Sequence, residues 1–230
     1  MSGWVAGVDG AKGGWLAVLA RPEGAGVALA LAPRWTDLPL AMVNMTGVDM
    51  PIGLAESGPR ACDSAARRLL PRERKPSVFA PPRRALLACA TWAEANACGR
   101  ALDGKGLSRQ GWNLAAKIRE LDRALAPADQ ARIREVHPEL VFLRLNRGRP
   151  LPRKKTAAGR ALRLSLLVRT GLGGVAALMD RLPRRQAGPD DVLDAAACAL
   201  AARDMLSGRA TCLPADPPVD ARGLKMEIWY

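Results

Sequence analysis

Three short apolar runs open the chain and constrain it most. Val5 to Val8, Trp15 to Ala20 and Val27 to Leu31 are each strand-sized. Gly10-Ala11-Lys12-Gly13-Gly14 separates the first two, and Pro22-Glu23-Gly24 the next two. Apolar runs joined by Gly-rich turns fold as an antiparallel meander. Thr36 then predicts, as an N-cap, a short helix through Val43. Met45 to Met50 reads as a fourth strand, stopped by Pro51 and Gly53.

A helical block follows. Pro59 to Leu70, Arg83 to Cys98 and Ser108 to Leu125 read as helices, Pro71 to Pro82 as a Pro- and Arg-rich loop, and Pro127 to Ile133 as a helical turn. Val136, Val141 and Phe142 favour a fifth strand over Ile133 to Phe142, with Pro138 marking an edge or bulge. After the basic loop Arg147 to Lys155, helices are expected over Arg160 to Thr170 and Asp190 to Leu206. A last strand is expected within Leu224 to Tyr230. This order predicts an α/β fold: a mixed five-stranded sheet flanked by helices, with a helical insertion at about 55–130 between the fourth and fifth strands. The whole chain, 1–230, reads as one domain.

Charge is unevenly distributed. The 230 residues carry 35 Lys+Arg against 22 Asp+Glu, a formal charge of +13. Arg60 to Arg84 holds net +6 and Arg144 to Arg169 net +9, so the rest of the chain carries −2. Two concentrated basic segments fit an anion-binding footprint, with nucleic-acid phosphates as the expected partner. Solvated basic surfaces are the alternative. No apolar run approaches the roughly 18–20 residues of a membrane helix, so no membrane partner is expected. The N-terminus lacks the basic start of a signal peptide. Five cysteines without a C-x-x-C pair, and a single His, argue against a zinc site or a disulfide framework. A reduced cytoplasmic setting is expected.

The acids carry the chemistry. Asp9 ends the first strand and Asp49 the fourth. Glu135 lies at the fifth, and Asp190, Asp191 and Asp194 open the last helix. Carboxylates at neighbouring strand ends converge on one cation, and hard oxygen ligands suit Mg²⁺ or Mn²⁺. Two such ions roughly 4 Å apart activate a water and stabilise the leaving oxygen of a phosphodiester. Asp194 precedes Ala195 to Ala202, a stretch with no polar face that must be buried nearly all round. A lone charge there costs several kcal/mol of order. Asp191 and Asp194 share a helix face and repel unless a cation or proton lies between them. The residues alone leave other uses open. Asp9 also serves as a turn residue before Gly10, and Asp190 as a helix N-cap. Glu135 can pair with Arg132 or Arg134, and His137 can be a proton donor or a structural imidazole.

The chain resembles a known family, the one catalogued as domain of unknown function 429. Gly7-Val8-Asp9-Gly10-Ala11-Lys12-Gly13-Gly14-Trp15 matches its opening motif, and Gly47-Val48-Asp49-Met50-Pro51-Ile52-Gly53 a second. Further matches run through Gly104 to Asn113, Arg134-Glu135-Val136-His137-Pro138-Glu139, Lys154-Lys155-Thr156 and Asp190 to Ala195. The resemblance implies a nuclease of RNase H-like fold. It assigns Asp9, Asp49, Asp191 and Asp194 to divalent metal; Glu135 and His137 match a family motif that has no fixed role in the wider fold, and are the candidates for a further catalytic acid and for proton transfer. Lys12, Lys105, Ser108, Lys154 and Lys155 would contact the substrate. The competing expectations are a nucleic-acid-binding protein without catalysis and, less favoured, an actin-like-fold phosphotransferase.

Overall fold

The N-terminal meander is built as the glycine-punctuated runs require. β1 (Trp4–Ala11) pairs antiparallel with β2 (Gly14–Ala20), and β2 with β3 (Val27–Ala32). The structure, a computed structural model, describes residues 3–23 and 26–230. Gly24 of the expected Pro22-Glu23-Gly24 turn therefore lies outside the described residues. β4 (Val43–Asp49) runs parallel to β1 on its other side, and β5 (Ile133–Glu135) runs parallel to β4. The five strands lie in the order β3-β2-β1-β4-β5. That order and sense match an RNase H-like sheet, and the helical insertion falls between β4 and β5.

Two compact units make up the chain. The first comprises Met1–Met50, Ala131–Thr211 and Trp229–Tyr230, and the second Pro51–Gln130 and Cys212–Ile228. The first unit holds the sheet with helices α4 (Pro138–Leu145), α5 (Ala157–Arg169), α6 (Val175–Asp180) and α7 (Pro189–Leu206). α7 lies across β1, β2 and β4, and its stretch Ala195 to Ala202 is buried throughout. Its approach needs glycine. A Cβ on Gly7 would collide with the Ala195 carbonyl and the Ala199 amide, and one on Gly47 with the Cys198 carbonyl.

The second unit carries α1 (Ala61–Leu69), α2 (Trp92–Asp103) and α3 (Arg109–Ala124). Its charges are largely internal. The buried Arg60 pairs with Asp63 at 2.6 Å and donates to the Ile52 and Gly53 carbonyls, both at 3.1 Å. Arg84 bonds Asp122 at 2.8 Å and also reaches Asp220.

Four local expectations are corrected. The strand predicted to run to Phe142 stops at Glu135, and α4 begins at Pro138. Proline has its φ pre-set for a first helical turn and lacks only an N–H that the turn leaves unbonded. Full burial of Val141 and Phe142 outweighs their β preference. The helix predicted over Thr36 to Val43 is only a 3₁₀ turn at Trp35–Asp37, because Pro39 holds Leu38 extended, with ψ 140°. The helix predicted over Arg83 to Cys98 is a 3₁₀ turn at Arg84–Ala88 followed by α2. Thr91 starts α2, its hydroxyl accepting from the Glu94 amide at 3.2 Å while Glu94 accepts from the Thr91 amide at 3.3 Å. Asp190 is not the N-cap of α7; that position is Gly188, whose amide donates to Asp191 at 2.8 Å.

Candidate functional site

Parallel pairing of β1 and β4 puts Asp9 directly opposite Asp49, the last residue of β4; β1 runs on through Gly10 and Ala11 to pair with β2, so Asp9 does not end its strand as expected. α7 crosses the same two strands and brings in Asp194 from its second turn. One ligand oxygen from each of the three carboxylates lies within 4.8 Å of the other two. Asp194 is 2 % exposed and Asp9 9 %, and Asp49 is half-buried. These acids have left most of their water without receiving an equal number of cations.

Their protonation reflects this. Burial, then the charges of Asp49, Asp194 and Asp191, holds the Asp9 carboxyl well above the usual carboxylate range, and Lys154 only partly opposes them. Asp49 is pushed up to about 8 by burial and by Asp194, again against Lys154, with smaller contributions from Glu135 and Glu139. Burial raises Asp194 as well, although Lys154 pulls it down by charge and hydrogen bonding. The buried Cys198 thiol is also driven well up, first by burial and then by the three aspartates.

Lys154 is the positive member of the group. Its Nζ donates to Asp194 Oδ2 at 2.5 Å, and the aspartates outweigh its own desolvation and keep it protonated. The loop that carries it is anchored from beneath. Arg163 of α5, fully buried, donates to the Pro152 carbonyl at 2.9 Å and to the Gly159 carbonyl at 3.1 Å. It also pairs with the buried Glu139 of α4 at 2.7 Å. Sequence reasoning gave neither Glu139 nor Arg163 a role. The available signal was a lone arginine among Leu162, Leu164, Leu166 and Leu167, and a carboxylate just after the Pro that opens a helix.

The other expected residues fall at varied places. Asp191 contributes to the field on Asp9, but its Oδ2 accepts from the Gly188 amide and caps α7. Glu135 is buried in β5, opposite Val48, and its charge reaches Asp49. His137 is half-buried at the start of α4, and its amide donates to the Trp229 carbonyl at 3.3 Å. Lys12 and Lys155 are exposed in the first unit. Lys105 and Ser108 belong to the second unit, where the Ser108 hydroxyl accepts from the Gly111 amide at 3.0 Å and caps α3.

The donor set fits a hard divalent cation. Three carboxylates are offered from three separate elements, and the single ammonium bonded to one of them leaves negative charge uncompensated. A family model described as "Protein of unknown function (DUF429)" matches residues 7–219, which takes in all three aspartates. The chain belongs to the DUF429 family. No curated protein and no solved structure matches it. The DUF429 stretch includes both glycines that admit α7 and the loop that presents Lys154. Among the described residues, no helix is long and apolar enough to cross a membrane.

Proposed function

We propose that this chain is a divalent-metal-dependent nuclease that hydrolyses phosphodiester bonds of nucleic acid. The observation that carries the reading is the triad of Asp9, Asp49 and Asp194, crowded within 4.8 Å and short of positive charge. Mg²⁺ or Mn²⁺ held there would supply Lewis-acid stabilisation of phosphoryl oxygens and would make a bound water a better nucleophile. Asp9 and Asp194 anchor the cation from β1 and α7, and Asp49 completes the acidic face. Asp191 and Glu135 strengthen the negative field around it. Lys154 orients Asp194 and keeps a positive charge beside the reacting phosphate. Lys155, Arg147, Arg149 and Arg153 are exposed on the same basic stretch and serve as phosphate contacts, with Lys12 at the β1–β2 turn. Lys105 and Ser108 are assigned the same task in the second unit. His137, the sole histidine, is assigned proton transfer to the leaving oxygen.

One observation favours a second reading, a nucleic-acid binder without catalysis. Lys154 already bonds Asp194, so the protein partly satisfies its own acids. A cleavage panel of DNA, RNA, hybrid and junction substrates with Mg²⁺ or Mn²⁺ separates the two. The nuclease reading expects metal-dependent cleavage that disappears in the Asp9→Asn, Asp194→Asn double variant. Equal activity from that variant, or no metal uptake by calorimetry, overturns it.

A further inference from the structure

The second unit contains a cavity of about 160 Å³ that the acidic triad does not use. Pro59, Pro81 and Pro82 give it apolar walls, with Ala55 and Ala80 between them. Four cations also line it, Arg60, Arg67, Arg83 and Lys105, against two carboxylates, Asp63 and Asp103. Both carboxylates are already committed. Asp63 takes the Arg60 guanidinium through both oxygens, at 2.6 and 3.1 Å. Asp103 takes Arg83 at 2.6 Å and the amides of Gly58 at 2.9 Å and Lys105 at 3.2 Å.

Positive charge is left over. Arg67 uses Nε and Nη2 on the Val78 carbonyl, at 2.9 and 2.6 Å, and its Nη1 has no partner among the described residues. The Lys105 side chain is exposed and likewise has none there. The Arg83 side chain is 7 % exposed, and its buried Nε makes no hydrogen bond. Of these donors the Arg83 Nε is the buried one, where an unmet donor calls for an acceptor; Arg67 and Lys105 offer solvent-accessible charge beside it.

Volume and chemistry together narrow the ligand. Drug-sized ligands need roughly 300 Å³ or more, whereas a cavity of about 150 Å³ lined by apolar side chains takes a single benzene ring. The space therefore suits one flat ring between the prolines. The spare guanidinium and ammonium groups suit an attached phosphate. We infer that this cavity binds a single nucleotide, its base between the prolines and its phosphate on Arg67 and Lys105. The choice of a nucleotide among phosphorylated rings rests on the nuclease reading; the ring-plus-anion chemistry does not.

The test is calorimetric titration of the full chain in EDTA, which removes any route through the acidic triad. The probes are adenosine and uridine 5′-monophosphates, together with five-nucleotide oligo(dA) and oligo(dT). Saturable binding below about 1 mM is expected, about tenfold weaker in Lys105→Glu and lost in Ala80→Leu, which fills the cavity from an exposed position. Tighter binding of the oligonucleotides identifies a strand as the source, and tighter binding of the monophosphates a free nucleotide. Both results support the site. The inference is overturned if no probe saturates, if inorganic phosphate competes as well as the monophosphates, or if both variants bind like the parent. Metal-dependent cleavage by the same preparations is scored separately, so the nuclease reading can fail while nucleotide binding in EDTA persists.

Discussion

Beneath the surface of the second unit Arg60 is paired with Asp63, and Arg84, with the exposed Arg222 beside it, is paired with Asp122 and Asp220. In the first unit Asp9, Asp49 and Asp194 share one bonded ammonium, that of Lys154. Balanced buried pairs hold local structure and need nothing further. An unbalanced acidic set raises the energy of the folded chain unless protons or cations join it. The contrast separates charge that is met within the fold from charge left for a proton or cation to meet.

The largest expected effect is on activity. Asp9→Asn should lower metal-dependent cleavage by more than about 100-fold, since even residues behind a metal ligand cost 10–100-fold. The same substitution should raise the thermal midpoint in EDTA at alkaline pH, where the Asp9 carboxyl is pressed to ionise beside Asp49 and Asp194. A lower midpoint there would put Asp9 with the charges met within the fold.

Asp63→Asn should behave in the opposite way. It leaves Arg60 buried beside two carbonyls and should cost about 3–5 kcal/mol, a fall of roughly 10 °C or more for a chain of this length. Divalent metal should not restore it. Recovery on adding Mg²⁺ would erase the distinction between the two clusters.

The pH dependence is the next test. Asp49 titrates near 8 in the fold but near 4 when unfolded. A raised folded value gives stability that is complete below the unfolded value and lost as pH rises through the folded one. In EDTA the midpoint should therefore fall between pH 5 and pH 8, and saturating Mg²⁺ or Mn²⁺ should flatten the decline. A flat profile in EDTA would show that the acids are compensated internally.

The smallest effect belongs to Lys155→Ala. Its side chain is exposed, so stability should stay within about 0.5 kcal/mol. Nucleic-acid binding should weaken evenly across sequences, and its log–log salt slope should drop by about one. Filter binding across a salt series checks this.

Much of the site was legible before the fold was known. Asp9 and Asp49 stood at the ends of apolar runs, where a carboxylate is costly, and Asp194 stood at the head of a helix without a polar face. Glu139 was hidden because its segment carries β-favouring Val141 and Phe142, and only burial around α4 makes it helical. Arg163 was counted within a basic surface stretch although it is fully enclosed. Arg60 and Arg83 were counted the same way in the other basic stretch and are likewise buried. Net charge records how many cations a segment holds, whereas their targets, such as the Pro152 carbonyl or Asp103, depend on contacts distant in sequence. Lys154 shows the mixed case. Its positive charge was expected to hold a substrate phosphate; in the structure it bonds Asp194, a contact that depends on the loop that Arg163 fixes.

The glycines beneath α7 carry a consequence for selectivity. β1 and β4 bear two carboxylates and the helix bears the third, so the bore of the acidic ring is gauged by how closely helix and sheet can nest. Gly7 and Gly47 set that gauge in backbone rather than in adjustable side chains. A single methyl at either would prise Asp194 away from its partners and widen the ring toward larger ions such as Ca²⁺, which tolerates looser oxygen cages than Mg²⁺ does. Discrimination between metals would thus be written two residues upstream of each strand acid, in the absence of a side chain.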